Sequence, residues 1–356
     1  FVPVKGTEEI YYVDLKAPLV IFYDTPALLK EELAKSLEVK GAVRRSHIRL
    51  LAMLSKIYPG KLLLCFESGF LNYCLLKRIT EENGVSLIPD PQRRNGEKMC
   101  VPFGKILKGV RVPNTVTKEL ETEKLYKKDL SGFVIKEYQG YASLPIQLRT
   151  IRSFDRPMIL VDDLFHTGHR MKELGKHLKT EGVGQFQLLT GVLSGRGRDL
   201  AKTQGLEVQY VYTVPNLGAW LIESDLYPFL GGDGVECMEH FGELCPSVNP
   251  ILPYAVPEFL EGVSREQLYE FSNVCLENAK DICFAAEKEY ARMYGRRMTL
   301  DRMMEILLQP RCPDGITPNE ARRMQTPSQI IEEELMKLRR IRGKGARGER
   351  WSVSNN

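Results

Sequence analysis

Apolar residues along this chain follow two rhythms. Short unbroken runs at 19–23, 61–66, 85–89, 133–138, 158–161, 186–193 and 208–214 have the length and richness of buried strands. Between them the apolar spacing lengthens to three and four residues. That spacing predicts helices at 26–37, 46–57, 71–82, 144–151, 171–180 and 198–203. Strands alternating with helices in this way indicate an α/β fold built on a doubly wound, mainly parallel sheet. Prolines at 246, 250, 253 and 257 then interrupt the chain, and beyond them the pattern is helical at 258–260, 265–294, 300–308 and 327–342. The expected organisation is an α/β domain at 1–250 with its core at about 40–235, a helical region at 257–343, and a basic, polar tail at 344–356. Residues 104–130 are polar and lysine-rich with weak periodicity, and no internal repeat stands out.

Composition narrows the class without identifying a function. At 43% hydrophobic, 356 residues can bury a substantial core, which argues against global disorder. A formal charge of +4 gives no electrostatic case for nucleic acid, and no apolar stretch is long enough to suggest a membrane span or a signal peptide. Eight cysteines show neither a C-x-x-C pair nor zinc spacing. Cys65, Cys74, Cys275 and Cys283 sit in apolar contexts and read as small core residues. This usage fits a reducing, cytoplasmic setting. The chain starts at Phe1, as a processed product or part of a longer polypeptide would.

The stretch 158–170, Met-Ile-Leu-Val-Asp-Asp-Leu-Phe-His-Thr-Gly-His-Arg, carries the most chemistry. An apolar strand delivers Asp162 and Asp163 at its carboxyl end, where open α/β sheets place their ligands. A turn containing Thr-Gly follows, and its backbone N–H groups at a helix N-terminus suit a phosphate. Carboxylates repel phosphate but accept hydrogen bonds from vicinal sugar hydroxyls. Acids followed by an anion cradle therefore describe a ribose 5-phosphate site. A strand ending in solvated acids before an ordinary helix cap is the blander alternative.

The same stretch resembles the phosphoribosyl-pyrophosphate (PRPP) signature of the type I phosphoribosyltransferase family: four apolar residues, two acids, two apolar residues and a small-residue turn with Thr-Gly. It departs from that pattern at His166, where a small residue is usual, and at Arg170, where Thr or Ser is common. The resemblance implies a type I phosphoribosyltransferase sheet and Mg²⁺ bound with the substrate. Asp162 and Asp163 would hold the ribose hydroxyls, act in catalysis and face the metal, through water if not directly. His166, Thr167, Gly168, His169 and Arg170 would hold the 5-phosphate.

Other segments fill the remaining places by position. Glu67, Ser68 and Gly69 follow the strand at 61–66 and open a helix, where the family receives pyrophosphate; the stretch is shorter than its counterpart in adenine phosphoribosyltransferases and lacks its arginine. Residues 104–140 stand where the family carries a closing loop, with Lys105, Lys108, Arg111, Lys118 and Lys124 as its cations. Trp220, Tyr227 and Phe229 follow a predicted strand and are the candidates to stack on a nucleobase. Residues 194–198 (Ser-Gly-Arg-Gly-Arg) read as a strand-end turn. His47, His177 and His240 read as structural or surface histidines, and Ser68 lacks a nucleophile-elbow context.

The resulting expectation is a phosphoribosyltransferase-like protein that binds PRPP or a nucleoside monophosphate with Mg²⁺ and moves the phosphoribosyl group to or from a nucleobase. A non-catalytic PRPP or nucleotide sensor is the alternative, and release of a base from a nucleotide a third reading. No membrane or nucleic-acid partner is expected, and the helices after 257 offer a surface for a homodimer or a partner domain.

Overall fold

The computed structural model describes residues 2–3, 10–11, 14–91, 95–127, 129–138, 140–236, 247–308, 310 and 324–345. His240, Cys237, Cys245, Cys312 and the tail from 346 lie outside them. The chain divides into two compact units: residues 1–65, 126–130 and 218–356 form the first, and 66–125 and 131–217 the second.

In the first unit, after the short strands β1 (Val2–Pro3) and β2 (Ile10–Tyr11), comes β3 (Asp14–Tyr23). The helix expected at 26–37 is instead a 3-10 turn at Thr25–Leu28 and a single helical turn, α1 (Glu31–Ala34). The long helix α2 (Leu37–Ile57) starts nine residues before the predicted 46, capped by Ser36, whose Oγ accepts the Val39 N–H. β4 (Lys61–Glu67) lies next to β3 in the sheet. Far along the chain, α7 (Arg265–Tyr294) begins with a reciprocal capping box between Ser264 and Gln267. It packs against α2 and against the last helix, α8 (Pro327–Gly345). Leu50 and Leu54 of α2, Leu276 and Ile282 of α7 and Ile331 and Leu338 of α8 are fully buried in one core. Burying each such side chain contributes about 1.5–3 kcal/mol before entropy is counted. The C-terminal helices thus share a core with the first sixty residues.

The second unit contains α3 (Ser68–Glu82), β5 (Met99–Pro102), β6 (Thr122–Tyr126, through Leu125), β7 (Phe133–Glu137), α4 (Leu144–Arg152), β8 (Met158–Phe165), α5 (His169–Thr180), β9 (Phe186–Ser194), α6 (Gly195–Gln204) and β10 (Val208–Val214). Its main sheet runs β10-β9-β8-β5 and is parallel throughout. Successive crossovers from β8 to β9 to β10 move in one direction, so α5 and α6 cover the same face. Leu160, Leu174, Leu178, Leu188 and Ala201 meet there. Leu188 and Gly191 lie three residues apart on β9 and so face opposite ways. A Cβ on Gly191 would fall 2.8 Å from Leu71 of α3, which places α3 on the other face.

The parallel α/β class is as predicted, with helices on both faces of a sheet. The expectation of one sheet holding every strand needs correction. Strands 19–23 and 61–66 belong to a separate three-stranded sheet, β11-β3-β4, in which β11 (Ala219–Ile222) runs parallel to β3. Residues 85–89 form no strand, and the position beside β8 is taken by β5.

Candidate functional site

β8 is buried along its whole length and carries the acid pair as its fifth and sixth residues. The strand continues through them: Asp162 is paired with Thr190, and Leu164 with Val192. Both carboxylates are enclosed, at 2% and 4% exposure. Oδ1 of each accepts the backbone N–H of the following residue, at 2.9 and 3.0 Å. One guanidinium nitrogen of Arg170 donates to both, at 2.5 Å to Asp162 and 2.9 Å to Asp163. Gly104 makes room for this cluster, since a Cβ there would lie 2.6 Å from Asp162 Oδ1.

Charge is shared unequally between the acids. Burial pushes Asp162 up to about 8 against the pull of Arg170. In Asp163 burial is outweighed by Arg170, the Asp162 hydrogen bond and the buried Lys124 ammonium, so its carboxyl lies below the usual range. At neutral pH the two acids therefore carry about one negative charge, matched by Arg170. Asp163 Oδ2 is buried and has no hydrogen-bond partner. Such an orphan is costly, and a hydrogen-bond donor reaching it would relieve that cost.

The turn after β8 is held from several sides. Gly168 caps α5 in the left-handed conformation, φ +69°, and a Cβ there would strike Leu200 of α6 at 2.4 Å. His166 Nδ1 contacts Ser194 Oγ at 2.7 Å, and that oxygen also accepts the Gly197 N–H at 2.9 Å. Burial and the nearby Arg196 cation hold the His166 imidazole below its usual value, so it is neutral at pH 7. The His169 ring stands edge-on to Phe133, with ring centroids 4.6 Å apart, and Thr167 is exposed. The 194–198 segment, expected as a plain turn, is thus the start of α6 and lies directly against the turn at 166–168.

The other nominated residues sit differently. Glu67 ends β4 and Ser68 and Gly69 are already in the first turn of α3, so strand passes into helix with no intervening loop. The 104–130 segment is packed, with Ile106, Leu107, Val112 and Leu120 buried. Its Lys108 is bound to Glu119 and Glu121, each at 2.5 Å, and Lys124 is buried on β6. Trp220, Tyr227 and Phe229 belong to the first unit, whereas the acid pair belongs to the second. Trp220 is half-buried on β11, with its ring edge-on to Phe22. Tyr227 and Phe229 are fully buried in the core, so their faces are occupied by protein. Cys65, expected inside, is exposed.

Two carboxylates could in principle hold Mg²⁺ through oxygen. Here Oδ1 of each is already held by Arg170 and by a backbone N–H, so the arrangement as it stands does not fit a directly bound divalent ion. Among the described residues no group of three or more His, Cys, Asp or Glu could hold a metal, and no helix is long and apolar enough to cross a membrane.

No protein-family model matches the chain, and no curated protein matches it by sequence. Among solved structures it is similar to a purine phosphoribosyltransferase from Pyrococcus horikoshii: 11% identity, TM-score 0.27, covering 43% of this chain and 86% of that one. An adenine phosphoribosyltransferase from Thermoanaerobacter pseudethanolicus gives 10% identity and TM-score 0.24, covering 40% and 80%. A protein from Aquifex aeolicus gives 14% and 0.27, covering 52% and 84%. Likenesses this partial leave the roles of individual residues to the geometry.

Proposed function

We propose that the second unit is a phosphoribosyltransferase-like module that binds the ribose 5-phosphate part of PRPP or of a nucleoside monophosphate at residues 162–170. The observation that carries this reading is the unpartnered Asp163 Oδ2, buried at the end of a parallel strand and followed at once by a fixed turn at a helix N-terminus. A ribose hydroxyl is a donor that would satisfy that oxygen, and the N–H groups opening α5 suit the phosphate. Arg170 is the internal cation that balances the pair without ligand. Binding would move it from the acids toward the phosphate, whose bidentate recognition suits a guanidinium.

Catalysis on this reading needs orientation of the ribose and stabilisation of positive charge at C1, both within reach of an ionised Asp163. No step is assigned to a metal. The sensor alternative has its own support: the direct passage from β4 into α3 and the neutralised Lys108 leave little to grip pyrophosphate.

Millimolar PRPP, with and without Mg²⁺, should raise the melting temperature, and Asp163→Asn should abolish the rise. No shift with PRPP or with any nucleoside monophosphate would end the ribose-phosphate reading. Given binding, pyrophosphate release across a panel of purine and pyrimidine bases separates transferase from sensor.

A further inference from the structure

A buried acceptor receives a ligand only if the ligand can reach it. In the first unit the buried Glu223 offers nothing: its Oε2 meets His47 Nδ1 at 2.5 Å and its Oε1 accepts the Tyr227 hydroxyl at 2.9 Å. In the second unit Asp163 Oδ2 lacks a partner but is shut off from solvent. Asp162 and Asp163 are both enclosed, and Oδ1 of each holds a backbone N–H and Arg170 Nη1. Gly104 closes a further side, because a Cβ on it would fall 2.6 Å from Asp162 Oδ1 and 3.2 Å from Arg170 Nη1. A ribose cannot place its hydroxyls on these oxygens while the cluster is closed.

Of the three side chains, the arginine is the one placed to move. The acids project from β8, which pairs with β5 on one side and β9 on the other and is buried along its length. Arg170 extends instead from the second residue of α5, and its side chain keeps 16% of its surface in solvent, against 3% and 6% for the acids. Both of its bonds to the acids leave from Nη1, so the carboxylates do not engage the guanidinium in the two-pronged geometry it favours. Its backbone belongs to the first turn of α5, whose N–H groups suit a phosphate. The cation that shuts the sugar side is thus rooted in the phosphate side.

The strengths of the competing bonds decide what can displace it. A bare sugar would exchange charge-assisted bonds for neutral hydroxyl bonds, which are about half as strong. A phosphate gives the guanidinium a new anionic partner, and one whose paired oxygens match its fork. We propose that Arg170 is the specificity-determining residue of this site: a ribose diol reaches Asp162 and Asp163 only when a phosphate on the turn at 166–170 has drawn the guanidinium away. The site then takes sugar phosphates and nucleotides and refuses free sugars and nucleosides. Resting on the ribose-phosphate reading above, this gate adds a coupling to it: phosphate and diol bind cooperatively even when they belong to separate molecules.

Titration calorimetry on the full chain with methyl β-D-ribofuranoside, a furanose diol without phosphate, tests the coupling. Saturating inorganic phosphate should tighten furanoside binding about tenfold, inside the ~5–150-fold range of coupling between sites, and chloride at equal ionic strength should not. By reciprocity the furanoside should tighten phosphate binding by the same factor. Arg170→Gln removes the charge that phosphate attracts, and the enhancement should fall below about twofold. Ribose 5-phosphate is the reference ligand. If it fails to bind, the ribose-phosphate reading falls and the gate with it. If it binds while furanoside and phosphate act independently on the wild type, or the furanoside binds in neither condition, the gate alone is overturned. A folded Arg170→Gln that keeps the coupling overturns it too; where that variant does not fold, the wild-type titrations decide.

Discussion

Among the described residues, a buried ionic cluster in each unit solves the same problem in its own way. In the second unit Asp162 and Asp163 are closed by Arg170, a cation eight and seven residues further along, and the cluster ends on an unpartnered oxygen inside the protein. In the first unit Glu223 is closed by Tyr227, four residues further along, and by His47, 176 positions away, and both of its oxygens are engaged. A buried charge must be matched, whatever its later use. What remains over after matching differs: an acceptor without a donor in the second unit, and a carboxylate with both oxygens engaged in the first.

The comparison can be broken at its strongest point first. Arg170→Ala leaves two enclosed carboxylates without their cation, and equilibrium unfolding should show a loss of about 3–5 kcal/mol. A loss below about 1 kcal/mol would mean that water already reaches the pair, because exposed ion pairs are worth no more than that. The second cluster should declare itself through pH. Its histidine is raised in the folded state to about 9 from an ordinary value of 6.5, so its contribution is complete below pH 6.5 and is lost as pH climbs through 9. The melting temperature should fall across that window, and His47→Gln should flatten the fall. The smallest effect concerns the turn beside the first cluster. Gly168→Ala meets both a left-handed backbone and Leu200, and should cost about 1–3 kcal/mol by denaturant titration. The same substitution at Gly175, mid-helix with nothing within 4 Å, serves as its control and should be neutral or stabilising.

These clusters also show what the sequence discloses. β8, α4, β9, β10 and α7 follow their apolar patterns closely: β8 and β9 are buried nearly throughout, α7 runs for 30 residues, and α4 and β10 keep an uninterrupted apolar rhythm. β5, β6 and β11 escaped notice, being only four or five residues long and lying in polar or aromatic surroundings. The start of α2 was hidden by Gly41 and the adjacent Arg44 and Arg45, which interrupt an apolar stripe that tertiary packing restores. Asp162 and Asp163 were legible because the motif is contiguous. That Arg170 turns back onto them was not, since it depends on the left-handed Gly168 that aims the first turn of α5. His47 was read as an ordinary histidine for a similar reason: Glu223 lies 176 positions away in the chain. No local pattern encodes a pair at that separation.

The glycines at 168 and 197 carry one more consequence. A Cβ on Gly197 would lie 2.2 Å from the Phe165 carbonyl oxygen, so α6 begins in direct contact with the end of β8, while Ser194 ties the same helix start to His166. The turn at 166–168 is therefore wedged between two helix starts. Ordering a loop residue costs about 1–2 kcal/mol of backbone entropy, and for these residues that cost is met when the protein folds. An anion arriving there would encounter N–H groups that are already aligned. Its affinity would be governed by how readily it sheds its own water, with little contribution from closure of the chain around it.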